Sequence, residues 1–247
     1  MEHRCVICTY TPNIRINNLD YCNTCFERQL LHKVFKHFKK LPFGSRILLY
    51  FDGTFSSLAM AHAISRLKNR NIHKFVVASR SWPEHRDFLK DIGFSCHVDL
   101  QPESDVSNAG LCRSKIDPIP KEVIEVGRSL GFDTVVFQAD AEMESVIALR
   151  SVCDGCGVLE TIESYVSGIS GVRVENAFGR IKPKEVRYYC YLNKIAGSFT
   201  KLGMSSKELV LSRFISKMES KNSLVVFNIL NTVKKIVAGK DGIDTSD

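Results

Sequence analysis

Apolar positions in the central part of the chain fall into short runs that alternate with helical repeats. Arg46-Ile-Leu-Leu-Tyr-Phe51 is nearly continuous, as expected of a parallel strand covered on both faces. From Ser56 to Lys68, Leu58, Ala61, Ile64 and Leu67 recur at intervals of three with Ala59 and Ala63 beside them, which predicts a helix packed directly after that strand. Lys74–Ser79 reads as the next strand, Pro83–Asp91 as a helix with Gly93 beyond its end, and Phe94–Asp99 as a third strand. A polar connection from Gln101 to Pro120 carries three prolines and Cys112. A helix from Pro120 to Leu130, a stop at Gly131, a strand over Thr134–Gln138 and a helix over Glu142–Arg150 continue the alternation. This order implies an α/β fold built on a doubly wound parallel sheet. Leu209, Phe214, Ile215 and Met218, then Val226, Leu230 and Val233, return at helical spacing as core or subunit contacts.

The N-terminal residues follow neither period. Cys5-Val-Ile-Cys8 and Cys22-Asn-Thr-Cys25 form two Cys-x-x-Cys knuckles separated by thirteen residues, the spacing of a zinc ribbon. Each knuckle presents two thiolates from one tight turn, and two such turns supply the four soft ligands of a closed tetrahedral Zn2+ site. Cys5, Cys8, Cys22 and Cys25 are therefore candidate ligands of a structural zinc; a pair of disulfides or four unrelated buried cysteines is the alternative. Cysteines total nine, an odd number, and Met1-Glu-His-Arg4 leads into the first knuckle without an apolar run. A reducing compartment is expected, with no secretory leader and no membrane-spanning segment, so the location expected is cytoplasmic. Cys153-Asp-Gly-Cys156 could be a redox dithiol or half a metal site, or simply a helix end, while Cys96 and Cys190 sit among apolar residues and read as core.

At 247 residues and 44% hydrophobic, the chain can bury a substantial core. Its net charge of +7 is unevenly spread: residues 1–46 hold 8 Lys and Arg against 3 Asp and Glu, residues 47–179 hold 13 against 18, and residues 180–240 hold 13 against 3. Two basic ends around an acidic middle suit a polyanion gripped at two places, although lysines that only solubilise helices give the same count. Lys33, Lys36, Lys39 and Lys40 are the first candidates for phosphate contacts with such a polyanion, followed by Lys182, Lys184 and Arg187. His32 and His37 share the Lys-rich helix and read as surface.

Ligands of doubly wound sheets bind at the carboxyl ends of the strands, where Phe51-Asp-Gly-Thr-Phe-Ser-Ser57 joins the first strand to its helix. The position suits a phosphate-cradling loop, but only Gly53 is a glycine, Asp52 adds a negative charge and no Walker lysine follows. A degenerate or purely structural turn is the competing reading.

The double knuckle, this strand–loop–helix turn, and Gln138-Ala-Asp140 ahead of the helix from Glu142 to Arg150 together resemble the PP-loop ATP pyrophosphatases that thiolate tRNA. Leu111-Cys-Arg-Ser-Lys115 leading into Lys121–Glu125, Ile181–Val186 running on to Tyr191-Leu-Asn193, and the stretch from Ser206 to Val237 are similar to the second-subunit family of the cytosolic tRNA 2-thiolation complex. Laid on the Ser-Gly-Gly-x-Asp-Ser signature, Phe51 replaces the Ser, Asp52 the first Gly and Phe55 the Asp. Only Gly53 and Ser56 agree, with Ser57 following. Cys112 stands alone where the catalytic subunit carries a Cys-x-x-Cys, and the long central insertion and terminal cysteine pair of many members are missing. The resemblance implies a zinc ribbon over residues 1–30, a degenerate PP-loop domain over 31–179 and a basic helical region over 180–247. It implies a non-catalytic subunit that supports 2-thiolation of the wobble uridine in lysine, glutamine and glutamate tRNAs. A catalytic thiolase partner would use ATP, and a ubiquitin-related carrier would bring sulfur. Thiol chemistry at Cys112, Cys153 or Cys156, an active ATP-dependent sulfurtransferase using Gly53 and Ser56, and a general zinc-ribbon RNA-binding protein stay open as alternatives.

Overall fold

A computed structural model of the chain describes residues 4–67, 72–80, 82–100, 119–155, 172–196 and 204–240. The chain begins with an antiparallel hairpin, β1 (Ile14–Ile16) and β2 (Leu19–Tyr21). Asn17 and Asn18 turn it with φ of 50° and 64°, the left-handed pair that a two-residue hairpin loop demands and that asparagine tolerates best among non-glycine residues. Helix α1 (Asn23–Phe38) follows and buries Phe26, Leu30, Val34 and Phe38, a stripe at intervals of four.

Five parallel strands form the central sheet: β3 (Arg46–Phe51), β4 (Lys74–Ser79), β5 (His97–Asp99), β6 (Thr134–Phe137) and β7 (Arg173–Asn176), in the order β5-β4-β3-β6-β7. The chain reverses its direction of winding between β3 and β6, which places the β3 turn at the switch point where such sheets open a crevice. Alternation along β3 decides what covers each face. Ile47, Leu49 and Phe51 join a core with α1, with α2 (Phe55–Ser65) and with Leu89 of α3 (Trp82–Asp91), while Leu48 and Tyr50 face Val123 and Ile124 of α4 (Lys121–Ser129).

The other helices are α5 (Ala141–Cys153), α6 (Pro183–Leu192), α7 (Ser206–Glu219) and α8 (Val225–Lys240). Of the C-terminal stripes, Ile215, Val226, Leu230 and Val233 are buried, whereas Leu209, Phe214 and Met218 are exposed. Ile215, Val226 and Leu230 close over Ala141 and Val146 of α5. The predicted domain boundaries do not divide the core. Residue 30 lies inside α1, and Ile14 and Ile16 of the hairpin share one cluster with Ile181, Val186, Tyr189 and Cys190 beyond residue 180.

The elements read from the sequence recur with two main adjustments. The third strand starts at His97 and not Phe94, because Gly93, at φ 86°, and Phe94 close the end of α3. Phe94 N–H reaches back to the Leu89 carbonyl at 2.8 Å, Gly93 N–H to that of Lys90 at 2.8 Å, and the Phe94 ring is buried there. Cys96 consequently precedes the strand and is exposed, which corrects its reading as core, whereas Cys190 is buried on α6 as expected. Strand β7 has little signal in the sequence, since only Val172 and Val174 mark its buried side. Among the described residues no helix is long and apolar enough to cross a membrane.

Candidate functional site

Cys5, Cys8, Cys22 and Cys25 come together at the hairpin and the start of α1, with their sulfurs all within 4.8 Å of one another. Cys8 Sγ lies 3.5 Å from both Cys22 Sγ and Cys25 Sγ, and none of the four is in a disulfide. Sulfurs about 2.3 Å from one tetrahedral ion stand about 3.8 Å apart, so the cluster fits a single ion and fits a zinc ribbon. Local backbone builds the site. Val6 N–H bonds the Asp20 carbonyl at 2.8 Å and Cys5 N–H that of Tyr10 at 3.0 Å, tying the first knuckle to the hairpin, while Cys22 is the N-cap of α1 and Cys25 lies in its first turn.

The thiols are unequal. Burial favours the neutral form of Cys5, but hydrogen bonding from the backbone of Cys22, Ile7 and Cys8 outweighs it and brings that thiol down to about 6. Burial and three adjoining thiols push Cys25 up to about 12. Cys8 is raised although the Tyr10 backbone favours its thiolate, because burial and Cys22 oppose it. Thiolates packed side by side repel one another; a metal cation among them would remove that conflict, and a four-sulfur donor set suits such an ion.

At the switch point the loop is closed by its own side chains. Asp52 Oδ1 accepts from Thr54 N–H at 3.0 Å and from Thr54 Oγ1 at 2.6 Å; Thr54 Oγ1 in turn accepts from Ser57 N–H at 3.3 Å. Gly53, at φ 78°, supplies the left-handed step, and the buried Ser57 hydroxyl donates to the Thr54 carbonyl at 2.9 Å. Phe55 packs against the core instead of facing the crevice. Two backbone donors of the turn, Thr54 N–H and Ser57 N–H, thus already serve Asp52 and Thr54. A phosphate charge 4 Å from the Asp52 carboxylate would be repelled by about 4 kcal/mol at an effective dielectric of 20. Thr54, the cap, is absent from the candidates named by the sequence, although Asp-x-Thr followed by a serine three residues later is a turn-and-cap pattern.

Beside this loop, β6 and β7 end in a polar cluster. Asn176 accepts from the Ala139 and Phe178 N–H groups at 3.1 and 3.0 Å, donates to the Ala139 carbonyl at 2.7 Å and also bonds Glu144. Asp140 caps α5 by accepting from Met143 N–H at 2.9 Å, and its burial raises the carboxyl to about 6. Gly179 leaves room for Glu144, since a Cβ there would stand 2.8 Å from Oε2.

The predicted phosphate contacts separate into two groups. Lys36, Lys39, Lys40, Lys184 and Arg187 are exposed. Lys33 instead pairs with the buried Glu185, and Lys182 is itself buried, 2.7 Å from Glu219 and 5.4 Å from the centre of the Phe227 ring. Lys182 therefore joins α6 to α7 and α8 and does not face solvent, which corrects its assignment to an outer binding face. His37 stands 3.3 Å from Glu175 and is half-buried. Cys153 is exposed at the end of α5, while Cys112 and Cys156 lie outside the described residues.

The same fold occurs in the U34-tRNA thiolase NcsA from Methanococcus maripaludis, solved with its [4Fe-4S] cluster: the TM-score is 0.80 at 12% sequence identity, over 96% of this chain and 89% of that one. The chain therefore shares that protein's fold, an α/β domain on a five-stranded parallel sheet. No protein-family model and no curated protein matches it.

Proposed function

We propose that this chain is a non-catalytic subunit of a tRNA thiolation complex. The observation that carries the reading is the loop after β3, where Asp52 sets a carboxylate in the turn and engages Thr54 N–H, and Thr54 engages Ser57 N–H, on a fold otherwise like that of a U34-tRNA thiolase. The substrates are the lysine, glutamine and glutamate tRNAs of the cytosol, modified at wobble uridine. A catalytic thiolase subunit supplies ATP chemistry and receives sulfur from a ubiquitin-related carrier; this chain contributes tRNA contacts and partner support.

The bound metal in this reading is Zn2+. Four sulfurs within 4.8 Å suit one ion, whereas a four-iron cluster spreads its thiolates over separate irons and needs a wider cage. When bound, the ion balances four thiolates and fixes the fold of the hairpin; Cys5, Cys8, Cys22 and Cys25 leave no open coordination position.

The test combines three measurements on the native protein: partners recovered by pull-down, tRNA 2-thiouridine content after depletion, and Mg–ATP calorimetry on the purified chain. We expect co-purification of a thiolase subunit, loss of thiolated tRNA, and no measurable nucleotide binding. Binding of Mg–ATP that disappears in Gly53→Val would make the chain an enzyme in its own right, and unchanged tRNA thiolation after depletion would remove it from this pathway.

A further inference from the structure

One face of α6 carries alternating basic and aromatic side chains. Lys184, Arg187, Tyr188 and Tyr191 recur at intervals of three and four, so they share a stripe about 100° wide, while Val186, Tyr189 and Cys190 are buried on the other side. Tyr191 is 76% exposed. Its ring stacks on that of Tyr188, with centroids 6.0 Å apart and planes inclined by 29°.

The inner ring of the pair is held in place. Tyr188 Oη donates to Asn23 Oδ1 at 2.7 Å, and Phe26 meets the Tyr188 ring edge-on at 5.1 Å. Phe26 directly follows the metal-ligand cysteine Cys25 and is buried, so the tyrosine pair is packed onto α1 next to the metal knuckle. Lys184 extends to the ribbon, where Nζ donates to the Arg15 carbonyl at 2.8 Å. Of the acids on these elements, Asp20 is matched by Arg15 at 2.7 Å, Glu185 by Lys33 and Glu27 by Arg66 at 3.9 Å. Lys184 and Arg187 are both exposed on the stripe, beside its two aromatic members.

We propose that the Tyr188–Tyr191 pair is a stacking platform for an unpaired base of single-stranded RNA, with the adjoining phosphates along Lys184 and Arg187. Any nucleobase offers a π-face to a rigid exposed ring, and flanking cations complement the strand's charge, which is how sequence-tolerant single-strand sites are built. The two cations beside the rings complement a phosphate backbone, a charge that an apolar protein surface does not carry. The proposal rests on the tRNA contacts of the reading above and assigns them to a location and a chemistry: an unpaired base, not a helix.

The test uses the full chain with zinc, a short fluorescently labelled single-stranded RNA, and a duplex of the same sequence. Tyr191→Ala should weaken single-strand binding by about 5- to 100-fold, the range for removing one stacked base, and should leave duplex affinity within about twofold. Its slope of log affinity against log salt should match the wild type, because no phosphate-binding cation is removed. Tyr191→Phe keeps the ring and should bind as the wild type does. If the wild type binds the single strand in a salt-dependent way and Tyr191→Ala binds equally well, the platform is wrong while the RNA-binding role stands. If Tyr191→Phe loses as much as Tyr191→Ala, the hydroxyl and not the ring matters, which also overturns the platform. A wild-type chain that binds neither RNA brings down both the platform and the tRNA-contact reading.

Discussion

Asp52 and Asp140 are both carboxylates just past a strand end, yet their surroundings give them opposite roles. Asp52 anchors a turn through Thr54, while Asp140 caps α5 from a half-buried position where desolvation raises its carboxyl from 3.8 to about 6. Between those values the folded state holds a proton that the unfolded chain has released, so stability falls as pH rises through the window and stays lowered above it. An asparagine in place of the acid keeps the capping oxygen and drops the charge. Asp140→Asn should therefore be more stable than wild type at pH 7, by about 1–3 kcal/mol, with the advantage gone below about pH 4. Urea denaturation at a series of pH values reads this directly; a constant difference from about pH 4 to 7 would show that the carboxyl does not titrate in that window. The four cysteines make a second case. Cys22→Ala with Cys25→Ala removes two of the four donors and should abolish the bound zinc measured by elemental analysis; an unchanged zinc content would place the metal elsewhere.

At the scale of elements, helix propensity and packing disagree at Gly127 on α4. Propensity favours alanine over glycine in a helix interior by about 1 kcal/mol. Packing opposes it, because a Cβ at 127 would stand 2.6 Å from Val135 Cγ2 of β6. Overpacking costs about 1–3 kcal/mol, so Gly127→Ala should destabilise, and Val135→Ala in the same chain should recover part of the stability by making room. A stabilised Gly127→Ala in chemical denaturation would mean that α4 shifts away without penalty. This close approach is not legible in the sequence, where Gly127 is one small residue in a helical pattern. Strands β3, β4 and β6 are legible because their apolar runs are continuous, and the cysteine cluster because ligand spacing is local. What escapes depends on distant partners: β7 exists by pairing with β6, Lys33 and Lys182 are taken up by Glu185 and Glu219 far along the chain, and Phe94 covers a helix end where its neighbours suggest a strand.

Over the whole molecule, the hairpin with its cysteines is not a detachable module. Its Ile14 and Ile16 share a core with the sheet and with α6, and Lys184 and Tyr188 bond back to Arg15 and Asn23. The two basic ends thereby meet: the N-terminal region with 8 Lys and Arg against 3 acids lies against the start of the region with 13 against 3. Part of that charge is matched internally, by Glu185, by Glu219 and, at Lys207, by Asp154 at 2.9 Å. Lys36, Lys39 and Lys40 at the end of α1 remain exposed, so they carry the prediction that Lys33 and Lys182 cannot. Replacing these three with Glu should weaken tRNA binding while leaving the fold and any partner complex intact, because none lies among the buried residues of α1. Each lysine that truly neutralises a phosphate should, on removal, flatten the slope of log affinity against log salt by roughly 0.7 to 0.9, so three of them give a change of roughly two to three. Affinities measured across a salt series, with sizing chromatography to confirm assembly, separate this from general solubilising charge. A slope equal to that of the wild type, with assembly intact, would remove the end of α1 from the tRNA face and leave the α6 stripe as its remaining location.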